Sequence, residues 1–296
     1  MKSVDLSAAR VEINSSLERF VIRESQLLNG IGNELEIATS AMSRYILGSG
    51  KRLRPLFAYV GYLGTQNQLN QSLITAFSSL ELIHVCALMH DDLMDSSDTR
   101  RGVPSLHREF ENYHRSNGLT GRADQFGAAT AILLGDLALV WSAKMFHQSG
   151  IKNEELLNSL EIYDELRVEL MAGQFLDINE QTLSTSSIER SMKIARYKSG
   201  KYTIERPLHF GAALGGRRDL FETYSNYGLP LGEAFQLRDD LLGVFGESEI
   251  TGKPTGDDLL EGKRTVLIAK TFELANASQA MALTMVLGKR NAPAEA

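Results

Sequence analysis

The chain has 296 residues, 43% hydrophobic and 23% charged, with a formal net charge of −6. That is enough for a sizeable core in one large domain or two ordinary ones, and it excludes wholesale disorder. The single cysteine, Cys86, rules out intrachain disulfides and cysteine-based zinc, while the mild acidity argues against nucleic acid as the main partner.

Met1-Lys2-Ser3-Val4-Asp5 lacks the apolar stretch of a signal peptide, and no unbroken run of eighteen apolar residues marks a membrane span, so a cytoplasmic protein is expected. Few prolines and abundant Leu, Ala, Glu, Met and Arg favour helix, and the expected fold class is all-α. Gly48-Ser49-Gly50 is the first break, after which Gly50-Lys51-Arg52-Leu53-Arg54-Pro55 opens a helix. Leu69 to Met94 places Leu73, Ala76, Phe77, Leu80, Ile83 and Ala87 at mixed three- and four-residue spacing, which predicts a helix. Breaks follow at Asp98 to Pro104 and at Asn117 to Gly121. Ala123 to Phe146, Glu154 to Ile178 and Leu220 to Phe245 again read as helices, the last kinked or broken at Pro230. Gly246 to Gly262 is the longest non-helical piece, of a length at which loops tend to be functional. No linker or repeat divides the chain, so residues 1–296 are expected to form a single helical-bundle domain.

Asp91-Asp92-Leu93-Met94-Asp95 ends a stretch that is apolar nearly all round, from Leu82 through Met89. Residues four apart share a helix face, so Asp91 and Asp95 project together. A lone acidic run most often faces water. Carboxylates at the end of a buried helix, however, need neutralising, and hard oxygen ligands suit Mg²⁺ with substrate phosphates. Gln236-Leu237-Arg238-Asp239-Asp240 repeats the pattern between apolar flanks. His84 lies two turns before Asp91 on roughly the same face, whereas His90 reads as structural. His107, His114, His147 and His209 form no zinc-ligand pattern.

Basic residues accompany these acids in short glycine-marked loops: Lys51 and Arg54, Arg100-Arg101-Gly102, Lys198-Ser199-Gly200-Lys201, and Thr251-Gly252-Lys253-Pro254. Singly, each reads as a solvated surface; together they fit two phosphate-bearing ligands, one held through metal and one directly.

Taken together, GKRLRP (Gly50 to Pro55), DDLMD (Asp91 to Asp95) with RRG, GQFLD (Gly173 to Asp177), YKSGKY (Tyr197 to Tyr202), FQLRDD (Phe235 to Asp240), Gly252-Lys253 and EGKRT (Glu261 to Thr265) resemble the trans-isoprenyl diphosphate synthase (polyprenyl synthetase) family. The resemblance implies an all-α bundle around a central cavity and a homodimer. It implies Mg²⁺-dependent condensation of isopentenyl diphosphate with allylic prenyl diphosphates. Asp91, Asp95 and Asp239 would bind Mg²⁺, with Asp92 and Asp240 in support; Arg100, Lys198 and Lys253 would hold the allylic diphosphate. Lys51, Arg54, His84 and Arg101 would hold isopentenyl diphosphate, and Gln174, Asp177 and Gln236 would line the reaction centre. Small residues at Cys86 and Ala87 point to a geranylgeranyl (C20) product, with Phe77 or Trp141 as a deeper stop; farnesyl and longer-chain synthesis are the alternatives.

Two departures stand out. Gly243 occupies a position where many relatives carry a third aspartate, and relatives continue into further C-terminal helices beyond the point equivalent to Ala296. A class I terpene cyclase, whose triad spacing matches Asp239, Gly243 and Glu247, and a non-catalytic partner subunit are the rival readings.

Overall fold

Helix α1 (Leu6–Asn29) starts where the Asp5 carboxylate accepts hydrogen bonds from the backbone N–H of Ser7 and Ala8, both 3.0 Å, satisfying two of the amides a helix start leaves open. The computed structural model describes residues 5–100, 102–246 and 256–289. They divide into two compact units, residues 1–161 with 207–221, and residues 162–206 with 222–296. The fold is all-α, apart from one two-stranded hairpin among the described residues.

In the first unit α1 is followed by α2 (Glu36–Leu47), α3 (Leu53–Leu63) and α4 (Gln71–Met94). The hairpin pairs β1 (Thr99–Arg100) with β2 (Val103–Pro104), and α5 (Leu106–Ser116) and α6 (Ala123–His147) follow. Asn70 caps α4 by accepting from the Leu73 N–H. With its apolar residues spread around the circumference, α4 is the core of this unit and packs chiefly on α6, with α3 and α1 on other sides. Phe77, Leu80 and Ile83 are at most 1% exposed, each contributing roughly 1.5–3 kcal/mol by burial. The Ser142 hydroxyl on α6 donates to the Ser79 carbonyl of α4 at 2.7 Å, so this contact holds a polar tie inside an apolar interface.

Helix α7 (Asn153–Gln181) passes from the first unit into the second after Glu161. There α8 (Ile188–Ile194) runs into a π-helical segment, Ala195–Glu205, and then α9 (Arg206–Leu214), which returns to the first unit. The second unit resumes with α10 (Phe221–Phe245), α11 (Asp257–Glu261), α12 (Val266–Leu274) and α13 (Ala277–Val286). Gly232 on α10 sits where an added Cβ would come within 2.5 Å of the Gly200 Cα, so the π-helical segment and α10 cross nearly backbone to backbone.

Three sequence expectations change. Pro230 does not break α10, because Asn226, whose carbonyl loses its helical donor, lies on an exposed face where water can serve it. Lys198 to Lys201 belong to a continuous helical segment of π type and not to a loop. Finally, α4 and α6 are each long and apolar enough to cross a bilayer despite lacking unbroken apolar runs; 72% of the apolar window of α4 lies inside the protein, against 39% for α6.

Candidate active site

The loop before α3 divides its basic residues by conformation. Arg52 adopts a left-handed backbone (φ 54°) and turns its side chain inward. Its guanidinium donates to the Glu81 carboxylate at 2.8 Å, to Asn14 Oδ1 at 2.8 Å and to the Gly48 carbonyl at 3.0 Å, and both members of the ion pair are buried. Arg52 therefore clamps the loop to α4, leaving Lys51 exposed and Arg54 half-buried on the first turn of α3. No sequence signal separated the inner arginine from its neighbours.

On α4 the first acidic segment splits in the same way. Asp92 is fully buried and accepts from Arg100 Nε at 2.8 and 2.6 Å and from its Nη2 at 2.5 Å, binding β1 to the end of the helix. Burial alone would lower the Arg100 pKa, but the hydrogen bonds and charge of Asp92, with the nearby Asp91, outweigh it and hold the guanidinium charged. Arg100 and Asp92, which the resemblance assigns to the allylic diphosphate and to metal support, thus meet each other first. Asp91 and Asp95 are half-buried, as are Ala87, Leu88 and His84 behind them. These five lie at helical spacing, whereas Ile83, Val85, Cys86, Met89 and Asp92 are buried. The last turns of α4 thus keep a partly accessible row running from two carboxylates past a small apolar residue to a histidine, with His90, Leu93 and the exposed Met94 accessible beside it. His90 is structural, its Nε2 lying 3.2 Å from the Ile132 carbonyl.

The second unit builds its own polar group. Gly173 on α7 has no room for a side chain: a Cβ there would stand 2.4 Å from the Lys198 backbone nitrogen. That close approach lets Asp177, one turn on, pair with Lys198 Nζ at 2.6 Å. Glu169, further back on α7, binds Lys201 at 2.5 Å and Arg206 at 2.7 Å, fixing the π-helical segment beyond Lys198. Although burial would raise its pKa, the hydrogen bonds from Arg206 and Lys201 bring the Glu169 carboxyl below its usual value. Gln174 is half-buried on α7.

On α10, Asp239 is exposed and Asp240 buried. Gln236 donates to Asp240 Oδ1 at 2.7 Å. Burial first, and then the charges of Asp258 and Asp239, push the Asp240 carboxyl up to about 6, against the pull of Gln236 and Lys263. Lys263, within the EGKRT motif, lies 2.7 Å from Glu261 and 3.6 Å from Asp258, which was not singled out from the sequence. Arg101 and Lys253, together with Glu247, lie outside the described residues.

Hard carboxylate oxygens at both acidic segments, and neighbouring acids that raise the proton affinity of Asp240, suit a small divalent cation. Among the described residues no three His, Cys, Asp or Glu side chains already converge on one point. A cation held there would complete its shell with water and phosphate oxygens.

Comparison with known proteins covers nearly the whole chain. The polyprenyl synthetase family profile matches residues 36–296. A geranylgeranyl pyrophosphate synthase from Corynebacterium glutamicum, crystallised with isoprenyl diphosphate and magnesium, is 40% identical with a TM-score of 0.93, and the match covers 98% of this chain and 84% of that one. A geranylgeranyl diphosphate synthase of Methanosarcina mazei is 32% identical over 235 residues, 78% of this chain and 66% of the relative. A geranylfarnesyl diphosphate synthase of Aeropyrum pernix is 31% identical over 78% of this chain and 69% of its own length.

Proposed function

The chain belongs to the polyprenyl synthetase family, and on that premise we propose that it is a Mg²⁺-dependent trans-prenyltransferase making geranylgeranyl diphosphate from isopentenyl diphosphate and an allylic primer. The observation that carries the reading is the half-buried row on α4, where the carboxylates of Asp91 and Asp95 adjoin the small apolar Ala87. A phosphorylated head beside the acids leaves its hydrocarbon along that row, and the buried Leu80 and Phe77 stand upstream of it.

Asp91, Asp95 and Asp239 are the magnesium ligands in this reading, and the bound ions supply charge neutralisation to the departing diphosphate. Lys198, positioned by Asp177, and Arg100, positioned by Asp92, add positive charge where it develops as the allylic C–O bond breaks. Lys51, Arg54 and His84 in the first unit, with Arg101, anchor isopentenyl diphosphate, and Lys253 serves the allylic group. Gln174 and Gln236 line the reaction centre. The double bond of isopentenyl diphosphate attacks the allylic cation, and a proton then leaves to the released diphosphate. Apolar walls keep water from the cation.

Residues 1–296 act as one domain in this reading, supported by a family match that spans both units. The enzyme works as a homodimer, because α6 exposes Phe126 (37%), Leu133 (67%) and Val140 (61%) at seven-residue intervals, a seam suited to a second helix.

Incubation with Mg²⁺, isopentenyl diphosphate and dimethylallyl, geranyl or farnesyl diphosphate, followed by chromatography of the dephosphorylated products, tests the reading. C20 product is expected from each primer, with turnover abolished in Asp91→Ala at unchanged helicity. Product formed without isopentenyl diphosphate would indicate a cyclase instead, and absence of turnover a non-catalytic subunit. A chain stopping at C15 would remove the geranylgeranyl assignment.

A further inference from the structure

The second unit holds a cavity of about 370 Å³ that no residue of the proposed chemistry lines. Ser184, Thr185 and Ser186 reach it from the turn between α7 and α8, Arg264 from the turn before α12, and Phe272, Thr284 and Leu287 from α12, α13 and the end of α13. Arg264 belongs to the EGKRT motif, yet neither diphosphate in the reading above uses it. Three inward-facing arginines elsewhere meet carboxylates: Arg52 at 2.8 Å, Arg100 at 2.5 Å and Arg206 at 2.7 Å. Arg264 is half-buried and meets none among the described residues. Its Nη1 reaches only Ser186 Oγ, at 3.4 Å, longer than a charged donor usually makes, and its Nε is buried without a hydrogen-bond partner. Glu180, on the last turns of α7, is already taken by Arg190 at 2.7 Å. Both backbones that frame the guanidinium are anchored: Arg190 donates to the Thr185 carbonyl at 2.6 Å, and Ser191 Oγ donates to the Arg264 carbonyl at 2.7 Å.

We infer that this cavity binds a phosphate oxyanion, inorganic or at the head of a short alkyl phosphate, without a metal. The oxyanion supplies the counter-charge that the Arg264 guanidinium lacks, and a half-buried cation gains more from such a partner than an exposed one. Ser186 takes the long arginine bond on a lone pair, which leaves its own proton to donate, and Ser184 and Thr185 add exposed hydroxyls from the same turn. Thr284 contributes no donor, since its hydroxyl bonds the Ala280 carbonyl at 2.7 Å. Among the described residues no carboxylate lines the cavity to repel an anion, and Phe272 and Leu287 offer apolar surface to a short carbon chain. Because the donors come from two separately anchored turns, occupancy ties the α7–α8 turn to the start of α12.

Inorganic phosphate and n-butyl phosphate are titrated into the full chain in chelator, against chloride at equal ionic strength, with amide hydrogen exchange to locate the binding. Protection is expected across residues 182–187 and 264–267, together with a rise in melting temperature. Arg264→Gln should weaken this binding roughly tenfold, the scale of one hydrogen bond to a charged group, and leave the melting temperature in chloride unchanged. Ser186→Ala should weaken it a few-fold, and it keeps the test decisive if Arg264→Gln fails to fold. Butyl phosphate binding more tightly than phosphate assigns the site to an ester whose chain lies on Phe272 and Leu287; equal binding assigns it to inorganic phosphate. Protection confined to other segments, such as residues 50–54, or wild-type affinity in Arg264→Gln or in Ser186→Ala, overturns the proposal.

Discussion

Arg52 and Glu81 show how a motif residue can hold its neighbours in place while its own side chain is buried. Their buried ion pair holds the strained loop that presents Lys51 and Arg54. Arg52→Met leaves Glu81 buried and unpaired and should cost about 3–5 kcal/mol in urea unfolding, while Arg52→Met/Glu81→Leu should recover most of it. The two other pairs work alike: Asp92 with Arg100 and Asp177 with Lys198 each join residues that looked independent in the sequence. They lie 8 and 21 positions apart, and nothing in helical periodicity links a helix end to a hairpin or α7 to a π-helical segment. Which basic residue faces inward is decided by the acid it meets.

At the scale of elements, the π-helical segment is where two sources of precision converge. Gly200 and Gly232 allow it to cross α10 at backbone distance. Glu169 grips it from α7 through Lys201 and Arg206. Gly232→Ala places a Cβ 2.5 Å from the Gly200 Cα and should cost about 1–3 kcal/mol by overpacking, with kcat falling as Lys198 and Gln236 shift. Glu169→Gln should lose about 2 kcal/mol at pH 7, less than for a fully buried pair because Glu169 is 16% exposed. The lowered folded pKa of Glu169 sets the pH dependence. Its stabilisation is complete above the unfolded carboxyl value near 4.5 and fades as pH falls through the lower folded one. Urea titrations of wild type and variant should therefore converge in strong acid. The longer helices were legible beforehand: α4 and α6 start or end within two residues of the expected bounds. The hairpin at Thr99–Pro104 was not, because two-residue strands carry no alternation to read.

At the scale of the molecule, α6 leaves much of its apolar surface exposed, with Leu133 at 67% and Val140 at 61%. Leu133→Glu is expected to convert a dimer to a monomer in sedimentation analysis, with little change in the unfolding of the protomer, since Leu133 is mostly exposed. If the product lane follows α4, Ala87→Phe should shorten the dominant product toward C15 in the same chromatographic assay. Fold class, the main helices and the chemical type of the site were determined by the sequence, because helical periodicity and the cost of burying uncompensated acids are local properties. The partners of Arg52, Arg100 and Lys198 were decided only by tertiary structure. A side chain's charge is written in the sequence, but the charge it meets depends on which backbones pack close enough to bring the two together.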